Sequence, residues 1–140
     1  MAVRKKTIAK SASIEKTLDT SVNKLFDAFE SANKAIKLRS AESKKMLVTG
    51  RRLKKRRQTL LNKKKRAVAA EKKNSTVETR KAVRMLTTEF AGVSKELVKA
   101  TAARQVVLAE LSGLKASQKK LRSYVRCINT ANKQIEKSMK

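Results

Sequence analysis

Between Leu86 and Met139, steps alternating between three and four residues visit sixteen positions, and thirteen of them are apolar. At the chain's 40% apolar content, chance would supply about six. The run goes through Leu86, Phe90, Val93, Leu97 and Ala100. It continues through Val107, Leu111, Leu114, Leu121, Val125 and Ile128, and ends at Ile135 and Met139. This is the period of a coiled-coil seam, and a seam needs a second helix to cover it. With Phe90 at heptad position a, the three exceptions, Arg104, Gln118 and Asn132, all fall at a. Polar residues there either fix register and strand number or sit near water.

An earlier stretch supplies a second apolar stripe. Leu18, Val22, Leu25, Phe29, Ala32 and Ile36 follow the same spacing. Further on the seam thins: Arg39 and Ser43 stand where apolar residues are due, then Met46, Gly50 and Leu53. Leu60 and Ala67 follow at steps of seven, with Arg57 and Lys64 between. Ser13 reads as the N-cap of this helix, followed by Ile14 and Glu15. Asn74 suits a helix end, and Ser75-Thr76-Val77-Glu78 reads as a capping box between Ser75 and Glu78.

The expected organisation is therefore all-α: a basic, disordered arm over 1–12, a helix over 13–73, a turn at 74–75 and a heptad helix over 76–139. Proline is absent and glycine occurs only three times, so few turns are available. Two helices of nearly equal length joined by one turn predict a long antiparallel hairpin, each arm roughly 90 Å. Leu53, Leu60 and Ala67 then face the stretch from Val93 back to Val83. Two helices bury only a narrow stripe, so an oligomer or a partner that completes the core is expected. A break at Gly50 would give three helices instead.

Charge sets the expected partner. The 140 residues hold 37 Lys and Arg against 11 Asp and Glu, a formal charge of +26. Residues 38–73 alone carry net +13, half of that excess. Two dense blocks account for most of it: Arg51, Arg52, Lys54, Lys55, Arg56 and Arg57, then Lys63, Lys64, Lys65 and Arg66. Consecutive cations on a helix point all round its axis. Like charges at i and i+4, such as Arg51 with Lys55, repel. A charge run is ordinarily a solvated face, but six cations in seven residues followed by four in a row exceed what solubility requires. Phosphates on several sides would relieve the repulsion, and Arg4, Lys5, Lys6 and Lys10 of the arm would add to them.

The blocks contain no aromatic residue on which bases could stack, and only Gln58 and Asn62 could read base edges. Sequence-tolerant contact with duplex DNA fits these features best. Structured RNA or an acidic protein partner are the alternatives. A membrane surface is disfavoured because no wide apolar face accompanies the cations. No stretch reaches transmembrane length, and the basic start lacks the apolar run of an export signal.

Catalysis has no foothold among these residue types. Histidine is absent, Glu15 and Asp19 sit on ordinary helix surface, and Gly50-Arg51-Arg52 lacks the rest of a phosphate loop. The single cysteine, Cys127, falls at an outward heptad position and can form no disulfide within the chain. No metal or cofactor is expected. In composition alone the chain is similar to small histone-like, nucleoid-associated proteins of bacteria, from which it departs in its lack of proline and its heptad seam. In inferred shape it resembles antiparallel coiled-coil stalk proteins. Neither likeness carries residues across. The expectation is thus a non-enzymatic architectural DNA-binding protein, located inside the cell at a nucleoid or nucleus.

Overall fold

The computed structural model describes residues 8 and 10–140. The chain is all-α: helix α1 spans Ser11–Lys73 and helix α2 spans Val77–Ser138, 63 and 62 residues long. The two pack against each other as an antiparallel hairpin. Most of the expected basic arm, including Arg4, Lys5 and Lys6, lies outside the described residues.

Helix α1 begins two residues before the expected Ser13. The carbonyl of Lys10 accepts from the Ser13 amide at 3.0 Å and from the Ile14 amide at 3.2 Å, so Lys10 stands at the helix entry. Ser13 is already inside the first turn, where its own carbonyl accepts the Thr17 hydroxyl. Gly50 does not break the helix, and the three-helix layout is excluded. One glycine costs a long helix only about 1 kcal/mol, which the turns on either side can offset. Gly50 and Ala100 are small, and a cavity of about 100 Å³ remains beside them, lined also by Met46, Leu97 and Arg104.

The turn is capped one residue later than expected. The Thr79 amide donates to the Thr76 hydroxyl at 3.2 Å, and the Thr76 amide donates to the Thr79 hydroxyl at 2.8 Å. The reciprocal box is thus Thr76–Thr79 rather than Ser75–Glu78. Thr79 takes the part usually played by Glu or Gln, because its hydroxyl reaches the cap amide directly.

Contacts group the hairpin into two units, one of residues 38–111 and one of residues 1–37 with 112–140. In the first, Leu60, Val93, Val107 and Leu111 are buried. Every seam position of α2 from Leu86 to Ile128 is buried or half-buried, so the heptad register predicts the packed face correctly over this span. Among the described residues of the second unit, only Ala32 is a buried apolar residue. The helix ends there depart from expectation. Leu18 is 61% exposed and Ile135 54% exposed, although both continue the seam in sequence.

Polar residues occupy the gaps in the seam and bond across the hairpin. Arg104 Nε donates to the Ser43 carbonyl at 3.5 Å, and Ser43 is buried. Arg39 Nε meets Glu110 Oε2 at 3.0 Å while its Nη1 holds Glu42 Oε2 at 2.6 Å. The hydrogen bond that Arg39 donates to Glu42, then the charges of Glu110 and Glu42, raise the pKa of the Arg39 guanidinium above its ordinary value. In the other unit, Gln118 Nε2 donates to Asn33 Oδ1. Of the three polar residues at a, Arg104 and Gln118 therefore act as cross-helix pins, and Asn132 is exposed. The residue numbers in these pairs and in Arg57–Ser94 add to between 147 and 151, which fixes the register of the fold-back.

Candidate nucleic-acid interface

The two basic blocks sit on one continuous stretch of α1, within the unit of residues 38–111. Arg51, Arg52, Lys54, Lys55, Arg56, Arg57, Lys63, Lys65 and Arg66 are exposed, and Lys64 is half-buried. Lysine and arginine are good helix formers, so the stretch can hold its helix while α2 covers the line through Leu53, Leu60 and Ala67. All three of those residues are buried or half-buried.

Ion pairs do not neutralise this stretch. Among the described residues, contacts of 4.0 Å or less between opposite charges are Glu30–Lys34, Arg39–Glu42 and Arg39–Glu110. None includes a residue of either block. Ten cations thus stand on about four and a half turns of helix with no carboxylate against them. Val48, Arg51, Arg52, Lys54 and Lys55 border an open concavity of about 470 Å³.

Two of the cations do more than face solvent. Arg57 and Lys64, two of the gaps in the α1 seam, both lie over the ring of Phe90, at 5.2 and 5.6 Å from its centroid. Both distances are within the range of a cation–π attraction. Arg57 Nε also donates to Ser94 Oγ at 3.1 Å. The sequence places no aromatic inside the blocks, but the fold brings one to them. Phe90 is half-buried between its own cations, which leaves it poorly placed to stack a base. The signal was present in the sequence as two basic residues at seam positions opposite an aromatic at a.

Gln58 and Asn62, the two side chains suited to reading bases, bond each other at 3.3 Å. Part of their hydrogen-bonding capacity is spent within the helix. Arg4, Lys5 and Lys6 lie outside the described residues, whereas Lys10 is exposed at the start of α1. Cys127 is exposed, and no group of three His, Cys, Asp or Glu side chains among the described residues could hold a metal ion. No described helix is long and apolar enough to cross a membrane. No protein-family model matches the chain, and comparison with curated proteins and with solved structures finds no match either.

Proposed function

We propose that the chain is a non-enzymatic, sequence-tolerant DNA-binding protein of architectural type that grips duplex phosphates through Arg51–Arg57 and Lys63–Arg66. The observation that carries this reading is the row of ten cations on one stretch of helix, none of them matched by a carboxylate. Such a surface concentrates positive potential and releases counterions when phosphates approach. Sequence tolerance follows from the lack of base-reading groups: Gln58 and Asn62 are bonded to each other, and Phe90 lies under Arg57 and Lys64. Arg4, Lys5 and Lys6 would add contacts of the same kind. A nucleoid or nuclear location goes with this role.

Self-association belongs to the same proposal. Ile14, Leu18, Ile135 and Met139 are exposed near the helix ends, where the hairpin's own helices leave the apolar pattern uncovered. A further copy of the chain would cover it.

The test is binding to mixed-sequence duplex DNA with equal-length structured RNA and an acidic polypeptide as competitors. Tight duplex binding that resists the polypeptide and ignores base sequence is expected. Equal displacement by any polyanion would move the role to an acidic protein partner. Preferential displacement by RNA would move it to structured RNA.

A further inference from the structure

The outward face of α2 changes character partway along one helix. Its heptad positions b, e and f number twelve between Thr87 and Ser112, and they hold a single charge, Lys95. The same positions number twelve between Lys115 and Lys140, and they hold seven cations against Glu136. Lys115, Lys119, Arg122, Arg126, Lys133 and Lys137 recur at helical spacing, so they fall on one side of α2, within about 60° at 3.6 residues per turn. All six are exposed, and none has a carboxylate within 4.0 Å among the described residues.

A solvated face usually mixes both signs, because like charges at i and i+4 destabilise a helix. Lys115 with Lys119, Arg122 with Arg126, and Lys133 with Lys137 all oppose one another in this way. Solubility would be served as well by cations on the half from Thr87 to Ser112, where the same face is nearly neutral. The stripe also lies where the hairpin's core is thin, so packing does not require it.

We infer that this stripe is a second contact for a nucleic-acid phosphate backbone, separate from the α1 blocks, so that each chain can hold two duplex segments. The nature of the ligand rests on the function proposed above; the existence of a second contact rests on the stripe. The cations stand about one turn, 5.4 Å, apart except between Arg126 and Lys133, where one turn is skipped. A DNA strand winds round the duplex with a phosphate about every 3.4 Å of axial rise, so a helix laid along the strand's own path, rather than along the axis, meets several phosphates. The α1 blocks point cations all round their axis, whereas the stripe offers one edge. The stripe is thus suited to lying along a strand, and the blocks to being surrounded.

The experiment uses the full chain, a stripe variant (Lys115→Gln, Lys119→Gln, Arg122→Gln, Arg126→Gln) and a block variant with Gln at 51, 52 and 54–57. One duplex is fixed to beads and a second, fluorescent duplex is recovered through the protein. Circular dichroism establishes that each variant keeps its helices. The full chain is expected to recover the second duplex. At concentrations below self-association, the stripe variant is expected to bind single duplexes and recover the second one poorly. In the block variant, the salt slope that survives should include about 5.4 from the six stripe residues, at about 0.9 per phosphate. Recovery by the stripe variant equal to that of the full chain would overturn the second contact and leave the proposed function standing. Loss of single-duplex binding in the stripe variant would also overturn it, since the contacts would not be separate. Failure of the full chain to bind duplex at all would overturn the functional reading itself, and this inference with it.

Discussion

The unit of residues 38–111 and the unit that joins the two helix ends solve the same problem differently. In the first, cations surround α1, and there the hairpin buries Leu60, Val93, Val107 and Leu111. Polar side chains also cross between the helices at Arg39–Glu110, Arg104–Ser43 and Arg57–Ser94. In the second, Ala32 is the one buried apolar residue among those described, one polar pair crosses at Asn33–Gln118, and six of the seven α2 cations keep to one side, Lys120 standing off it. Within the encircled stretch the hairpin buries Leu60 and Val93 and crosses at Arg57–Ser94, and the adjoining part of the same unit adds Val107, Leu111, Arg39–Glu110 and Arg104–Ser43. Even the cations that interrupt the α1 seam are put to use, because Arg57 and Lys64 close over Phe90.

The strongest way to break this comparison is to charge the seam. Leu111→Asp with Leu114→Asp places two carboxylates against the facing helix, at a cost of about 5 kcal/mol or more. The far-ultraviolet circular dichroism should lose most of its helical signal, and an unaltered spectrum would refute the seam. A milder pair of changes sets the units side by side. Leu60→Ala should cost about 2–4 kcal/mol in urea denaturation, because the side chain is 5% exposed. Leu18→Ala, at 61% exposure, should stay within about 0.5 kcal/mol. Equal losses would mean that the units are packed alike.

Smaller effects sharpen the picture. A double-mutant cycle with Asn33→Leu and Gln118→Leu should report a coupling of about 0.5–1.5 kcal/mol, the worth of one hydrogen bond. Zero coupling would make the pair incidental to the register. Gly50→Ala should stabilise the hairpin by about 0.5–1 kcal/mol, since an added Cβ meets nothing within 4 Å and helix propensity improves. Destabilisation there would point to a needed bend at Gly50.

Much of this architecture is legible in the amino-acid order. The alternating three-and-four spacing marks the packed face of α2 from Leu86 to Ile128, and Asn74-Ser75 marks the turn, which runs one residue further to Thr76. Details governed by competition between neighbours are not legible. Ser75–Glu78 satisfies the capping pattern and Thr76–Thr79 lacks its Glu or Gln, yet the reach of the Thr79 hydroxyl decides for the second. Ser13 looks like a cap, but Lys10 stands at the entry. Burial at the ends is not written in the spacing either: Leu18, Ile135 and Met139 fit the seam and remain exposed.

The candidate site divides in the same way. Dense runs such as Lys63–Arg66 stand out in a sequence. The α2 stripe has at most one cation per turn, never looks dense, and emerges only when the helix faces are compared. The partners of Arg104, Gln118 and Phe90 lie too far along the chain for spacing to reveal them.

The most direct test of the proposed phosphate grip is the salt dependence of duplex affinity, measured for the full chain and for a variant with Gln at Arg51, Arg52, Lys54, Lys55, Arg56 and Arg57. If these side chains neutralise phosphates, the slope of log affinity against log salt should flatten by about five, at about 0.9 per contact, while helicity is retained. An unchanged slope with intact helices would contradict it, and would place duplex binding, if any, elsewhere on the chain.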